Sequence, residues 1–431
     1  MDSSKTQASQ TFSFSGLGLA PKFLEILDAL KISTPTPIQH KAIPSAIEGK
    51  DVIGIAQTGT GKTLAFGLPL LQRLAASEGN ALILLPTREL ALQVDEALSR
   101  FARALGLKSV VLIGGASMGR QVADIRRNPD IVIATPGRLI DHLEQRTLNL
   151  GGVSILVLDE ADRMLDMGFW PQIKKILAVI PRERQTMLFS ATLSKEIMEL
   201  ATKHMKTPTS IEVAPPGTTV EKVTQEFFIV RKEQKGALLE SMLKKYSGST
   251  LVFSRTKHGA KRLVRSVLAA GHSAAEIHGN RSLAQRREAL EGFKKGRYRV
   301  LVATDIASRG IDVKGIELVL NYDLPSDSSD YVHRIGRTAR AGATGHAISF
   351  AEPHQRQELR SIERLIRMPI RVSQTPSDLP ASRIPLDRGP RAPRAYGSSP
   401  HAPRGRSFHG RTSPRGPFRG TGQYRRSSER R

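Results

Sequence analysis

From Phe12 to about Met205, short apolar runs rich in β-branched residues alternate with stretches whose apolar positions recur every three or four residues. The runs Asp51–Ile55, Ala81–Leu85, Val110–Ile113, Ile131–Ala134, Ile155–Leu158 and Thr186–Phe189 read as strands. A brief continuous apolar run suits a strand buried on both faces. Glu89–Ala104 and Gln172–Val179 carry the helical period. Strands alternating with helices at this spacing predict a parallel sheet covered on both sides. Lys206 to Val223, with Pro208, Pro215, Pro216 and Gly217, breaks the pattern and reads as a linker.

A second alternating block follows. Phe227–Val230, Thr250–Phe253, Val300–Ala303, Leu318–Asn321 and Ala347–Phe350 read as its strands. Ala237–Lys245, Ala260–Ala270, Leu283–Lys294 and Gln355–Arg367 read as its helices. The expected fold is therefore α/β: two similar halves in tandem, residues 12–205 and 224–370, joined by the linker 206–223. Residues 1–11 and 371–431 read as disordered. From about Pro376 the composition is Arg, Gly, Pro and Ser with isolated Tyr396, Phe408, Phe418 and Tyr424. Such a segment buries too little apolar surface to offset its ordering entropy.

Charge changes the picture. The 431 residues carry a net charge of +25 and no cysteine. The stretch Arg383–Arg431 holds thirteen arginines, no lysine and two acids, which is +11 of that total. This balance suits a polyanionic partner, nucleic acid first and an anionic membrane second. The absence of cysteine excludes disulfides, thiolate metal sites and cysteine nucleophiles, and makes a reducing, cytoplasmic setting the default. The polar stretch Met1–Gln10 lacks a signal-peptide core, and no run of 18 apolar residues could span a membrane.

The chemistry centres on Ala56-Gln57-Thr58-Gly59-Thr60-Gly61-Lys62-Thr63, between an apolar run and a helical stretch. Gly59 and Gly61 let several backbone N–H groups point at one anion. The following helix adds its positive end, Lys62 a point charge, and Thr63 a hydroxyl for Mg²⁺. Ala56 stands where the usual pattern has glycine. Only the first half has such a loop, so one nucleotide is expected in the cleft between the halves, bound by the first and completed by the second. After Ile155–Leu158 comes Asp159-Glu160-Ala161-Asp162. Carboxylates at a strand's C-terminal end can hold Mg²⁺ and orient an attacking water.

These four residues spell the signature of the DEAD-box helicases, and the chain resembles that family over residues 12–370, with its motifs in order. The resemblance implies two RecA-like domains, ATP and Mg²⁺ as cofactors, and RNA as partner, both single strands and short duplexes. Thr36-Pro37-Ile38-Gln39 is similar to the Q motif, with Phe14 as its upstream aromatic, Ile32 at the adenine-packing position and Gln39 reading the adenine edge. Pro86, Thr87 and Arg88, then Gly114 and Gly115, then Thr135, Pro136, Gly137 and Arg138 correspond to first-half RNA contacts. Ser190, Ala191 and Thr192, with Asp162 and His333, would couple hydrolysis to strand separation. In the second half, Arg255, Thr256, Arg286, Thr304, Asp305, Arg309 and Gly310 correspond to further RNA contacts, and Asp312 to a ribose contact. The resemblance makes Lys62, Asp159, Glu160, Arg337 and Arg340 catalytic, the two arginines as fingers on the γ-phosphate, and Thr63 and Asp159 the holders of Mg²⁺, mostly through water.

Three departures stand out. Ile32 replaces an aromatic, Leu283 replaces the glutamine of a Gln-x-x-Arg element ending at Arg286, and Ala339 replaces a customary glycine. The short N-terminus and basic tail look most like the bacterial RhlE-type branch, whose tasks are ribosome assembly or RNA turnover. Ribosomal precursors and RNA-degradation proteins follow as expected partners, and nothing in residues 12–370 demands more than a monomer. The tail is expected to tether RNA. Competing readings are an ATP-gated RNA clamp or annealing chaperone, a DNA helicase, and a purely structural RNA binder.

Overall fold

The computed structural model describes residues 12–57, 59–213, 223–305, 313, 315–339 and 345–376. They form two seven-stranded, all-parallel sheets. The first comprises β1 (Val52–Ile55), β2 (Asn80–Leu84), β3 (Ser109–Leu112), β4 (Ile131–Ala134), β5 (Val153–Leu158), β6 (Gln185–Ser190) and β7 (Thr209–Glu212). Their order across the sheet is β3-β4-β2-β5-β6-β1-β7. The second comprises β8 (Val223–Ile229), β9 (Thr250–Phe253), β10 (Ala274–Ile277), β11 (Val300–Ala303), β12 (Leu318–Asn321), β13 (Gly345–Ala351) and β14 (Arg371–Ser373). Its order is β10-β11-β9-β12-β13-β8-β14, the same permutation seven strands later. The duplication inferred from the alternating pattern is thus a repeat of topology.

Strands β1, β4, β9, β11 and β12 are buried along their whole length, as strands covered on both faces must be. Apolar clusters lie on both faces of each sheet. Ile83, Val157 and Phe189 face one side of the first, and Leu82, Leu156 and Leu188 the other.

The structure corrects both outer boundaries. The first four ordered positions after Pro208 are an edge strand: β7 pairs in parallel with β1, Val52 opposite Thr209 and Ile55 opposite Glu212. Only Ile211 of this strand is buried, so the local pattern carried no strand signal. Likewise β14, three residues with none fully buried, extends the second domain to Ser373 through its pairing with β8. Strand β10, Ala274–Ile277, also lacked a sequence signal, its apolar run being interrupted by Glu276. The expected tail, residues 377–431, lies outside the described residues.

Candidate functional site

The functional loops all leave the C-terminal ends of strands, where parallel α/β sheets bind ligands. Sheet order sorts them into two neighbouring groups. The loop from β1 leads to Gly59–Thr63, that from β5 to Asp159–Asp162, and that from β6 to Ala191–Thr192; β5, β6 and β1 are adjacent. The loops from β2, β3 and β4 carry Pro86–Arg88, Gly114–Gly115 and Thr135–Arg138, and these three strands are adjacent on the other side.

In the first group, Gly61 caps the Lys62–Ala76 helix in the left-handed region at φ 91°, and Gly59 has φ 86°. Glycine is needed at position 61 for space as well, since a Cβ there would lie 2.5 Å from Gln39 Nε2. That amide donates to the Gly61 carbonyl at 3.0 Å, while its oxygen accepts from Thr36 N at 2.9 Å. Gln39 therefore braces the phosphate loop from the start of the Pro37–Ile47 helix, in addition to the adenine role expected of it. The Lys62 ammonium is 6% exposed and donates to the Ala56 carbonyl at 3.0 Å, while Ala56 N donates to the Ser190 carbonyl at 2.9 Å. Thr60 Oγ1 donates to the Gln57 carbonyl at 2.7 Å. Phe14, 3% exposed, sits inside the apolar cluster behind this loop, and Ile32 packs against the same cluster.

Asp159 and Glu160 are 3% and 4% exposed. Burial pushes Asp159 up to about 6, opposed by the Lys62 charge and assisted by Glu160. Glu160 has φ 51°, a left-handed conformation unusual outside glycine, of the kind that collects at functional sites. Its carboxylate lies 3.6 Å from Arg163 Nε, a guanidinium only 2% exposed. Asp162 joins two motifs directly. One carboxylate oxygen accepts from Ala191 N (3.0 Å), Thr192 N (3.0 Å) and Thr192 Oγ1 (3.1 Å). The donor set around Asp159 fits magnesium: Thr63 and Asp159 offer only oxygens, the ligands that ion prefers, and it commonly takes just one or two from protein.

In the second group, Gly115 has φ 79°, and a Cβ on it would lie 2.4 Å from Arg88 Nη1. The Arg88 guanidinium is thus stacked on the Gly114–Gly115 turn. Arg138 donates to the Ala116 carbonyl at 3.1 Å and to Gln121 Oε1 at 3.2 Å. Gln121 Nε2 in turn donates to the Ile113 carbonyl at 2.9 Å. His142, fully buried, completes this network with Nε2 3.0 Å from Gln121 Oε1 and Nδ1 2.8 Å from Thr147 Oγ1. Because Gln121 Oε1 can only accept from it, His142 Nε2 carries a proton. Burial and Arg138 both depress its pKa.

The second sheet repeats the layout with the charges internally neutralised. Lys235 opens the helix after β8, as Lys62 opens the one after β1, and Asp323 follows β12 as Asp159 follows β5. Here Lys235 Nζ sits 3.3 Å from Asp323 and 3.0 Å from Glu352. The second domain's lysine is thus paired with two carboxylates, where Lys62 donates to a backbone carbonyl. Asp323 also accepts from Arg255 N at 3.0 Å, which anchors that loop, while Thr256 caps the Lys257–Ala269 helix. Asp305, expected on RNA, has both carboxylate oxygens engaged by Arg334 at 2.6 and 2.8 Å. Arg334 also donates to Asn321 Oδ1 at 3.0 Å and lies 4.9 Å over the Phe253 ring. Thr304 N donates to the Ile277 carbonyl at 3.3 Å.

Among the described residues, the halves meet at two places that involve expected site residues. Arg163 of the first lines a small space of about 10 Å³ with Asp305, His333, Arg334 and Arg337 of the second. Arg337 is 4% exposed and donates from Nε to the His333 carbonyl at 3.2 Å. At the second place Arg286, 7% exposed, bonds Glu89 at 2.7 Å, and Leu283 packs on the first half's core. The replacement of glutamine by Leu283 therefore gives apolar interdomain packing, and Arg286, expected on RNA, serves as a tie between halves. Thr58, Arg309, Gly310, Asp312 and Arg340 lie outside the described residues. Arg163, Arg334, Gln121 and His142 were not among the expected site residues. Arg163 directly follows the Asp159–Asp162 signature and Arg334 follows His333, whereas the others have no sequence signal because packing alone brings them together.

Comparison with known proteins agrees with this geometry. The DEAD/DEAH box helicase family matches residues 36–200, and the helicase conserved C-terminal domain matches residues 234–342. The chain is 41% identical over 382 residues to the ATP-dependent rRNA helicase RRP3 of Debaryomyces hansenii, covering 87% of this chain and 80% of the relative. It is 42% identical over 356 residues to the DEAD-box ATP-dependent RNA helicase CshA of Bacillus subtilis, covering 82% and 72%. Among solved structures, S. cerevisiae Dbp5 bound to RNA and ADP BeF3 matches with a TM-score of 0.75 at 31% identity, covering 85% of this chain and 96% of that one. With its paired RecA-like domains, phosphate loop and strand-end carboxylates, the chain belongs to the DEAD-box family of ATP-dependent RNA helicases.

Proposed function

We propose that the protein is a magnesium-dependent, RNA-stimulated ATPase that opens short RNA duplexes, working as a monomer in the bacterial cytoplasm within the RhlE-type branch. Its substrates are ribosomal precursors or RNA in turnover, and RNA-degradation proteins are partners; similarity to an rRNA helicase favours the first. The observation that carries the mechanism is the junction where Arg163, beside Glu160, shares a space with His333 and Arg337. Closure brings a second-half arginine to the carboxylate that orients water, so hydrolysis requires both halves. Arginine fingers of this kind contribute roughly 10³–10⁵ in rate.

Lys62 and the loop N–H groups bind phosphates, and Gln39 holds the loop in shape. Thr63 and Asp159 would hold magnesium, which would offset phosphate charge. Asp162 transmits the state of the carboxylate loop to Ala191 and Thr192, the loop that ends β6. RNA lying over Arg88, Gly115 and Arg138 and over Thr256 and Thr304 favours the closed state, as ATP does, so each raises affinity for the other. The arginine-rich tail adds a tether.

Steady-state ATPase activity without nucleic acid, with single-stranded RNA and with matched DNA tests the proposal. Stimulation by RNA alone is expected, abolished by Lys62→Ala, with Glu160→Gln still binding ATP and RNA. Equal stimulation by DNA, or none by either, overturns it.

A further inference from the structure

A basic face on the second domain belongs to none of the machinery above. The Arg356–Ile366 helix buries Leu359, Ile362 and Ile366 in a cluster with Phe227, Tyr331 and Ile335. Its other side carries Arg356, Arg360 and Arg364, four residues apart, with Arg367 just beyond. At 3.6 residues per turn all four fall within an arc of roughly 80°, along a run of roughly 16 Å. All four are exposed, and with His354 they line a concavity of about 1010 Å³.

Carboxylates do not explain this stripe. Glu363 is the acid in the concavity, and its Oε1 accepts from Ile370 N at 2.9 Å. Among the described residues none of the four arginines has an ion pair. Like charges four residues apart on a helix repel, so an outside anion bound along the stripe relieves that repulsion. Arg364 is already positioned: Nε donates to the Arg360 carbonyl at 3.3 Å and Nη2 to Ser361 Oγ at 3.1 Å. Four planar guanidinium forks in a row suit successive phosphate groups better than a single small anion.

We propose that this face is a second RNA-binding surface, which holds the phosphodiester backbone of RNA outside the cleft through Arg356, Arg360, Arg364 and Arg367. It rests on the helicase reading only for the identity of the polyanion. In sequence, the face is followed through β14 by the arginine-rich segment.

The test compares the full chain with its Arg356→Gln/Arg360→Gln/Arg364→Gln variant, and with an Arg100→Gln/Arg103→Gln/Arg126→Gln control of equal charge. Fluorescence anisotropy with a labelled single-stranded RNA is read from 50 to 200 mM salt. Each lost phosphate contact lowers the salt slope by about 0.7 for a single strand. Three contacts thus reduce the affinity lost across this fourfold salt range by about 20-fold. The control should keep the wild-type slope, and RNA-free ATPase should be unchanged in both. An unchanged slope in the first variant, with an acidic protein then the face's partner, overturns the proposal. So does an equal fall in the control. Absence of RNA-stimulated ATPase in the wild type would instead sink the helicase reading, and the slope comparison reports on this face independently.

Discussion

Arg286→Ala should uncouple the two domains without unfolding either. Arg286 and Glu89 are 7% and 5% exposed and joined at 2.7 Å across the domain boundary. Burial raises the Glu89 pKa against the pull of Arg286, so the carboxylate is already held at a disadvantage. Removing one partner of a buried pair typically costs about 3–5 kcal/mol. The pair is not bidentate, since Glu89 Oε1 and Arg286 Nε are buried without partners, which favours the lower end. About 3 kcal/mol is roughly a hundredfold in an equilibrium constant. The domains can separate and rehydrate Glu89, so this loss falls on closure rather than on folding.

The assay is RNA-stimulated ATPase at saturating ATP across an RNA titration, with thermal unfolding alongside. The expected result is a large rise in half-saturating RNA or a fall in the maximal rate, at nearly constant melting temperature. Glu89→Gln/Arg286→Met, which buries no charge, should recover much of the loss, because a buried pair can be replaced by neutral groups at small net cost. Wild-type stimulation in Arg286→Ala, or a melting-temperature drop that accounts for all the lost activity, would refute the reasoning.

Asp162→Ala strips the partner from three donors, Ala191 N, Thr192 N and Thr192 Oγ1. One bond to a charged acceptor is worth about 1.5–3 kcal/mol, so duplex opening per ATP hydrolysed should fall roughly tenfold or more, with ATP affinity little changed. Gly115→Ala places a methyl group against Arg88 in a left-handed turn, and should weaken RNA binding while leaving RNA-free ATPase intact. Ala339 occupies the left-handed region at φ 53°, where the family has glycine. Ala339→Gly should therefore raise stability by about 1 kcal/mol, read by denaturant titration. His142 has a depressed pKa, so its contribution is complete above the unfolded value of about 6.5 and is lost as pH falls towards the folded value. The melting-temperature gap between wild type and His142→Gln should narrow between pH 7.5 and pH 5.5; a constant gap would contradict a buried neutral ring.

The sequence by itself determined the α/β class, the tandem halves and most of the chemistry. Strands such as Thr250–Phe253, Val300–Ala303 and Leu318–Asn321 were legible to the residue, because a strand buried on both faces is a continuous apolar run. The phosphate loop and Asp159–Asp162 were legible because phosphate and metal chemistry restricts residue types over a few consecutive positions. Edge strands β7 and β14 were not, since a half-exposed strand is defined by its neighbour and not by its own hydrophobicity. Tertiary structure alone decided which motifs become neighbours. Sheet order set the loops of β5, β6 and β1 together and those of β3, β4 and β2 together. It likewise decided that Arg286 meets Glu89, that Arg334 holds Asp305, and that Lys235 is neutralised by Asp323 and Glu352. Long-range ion pairs of this kind depend on where packed elements place two side chains, and charge and spacing along a chain do not encode that separation.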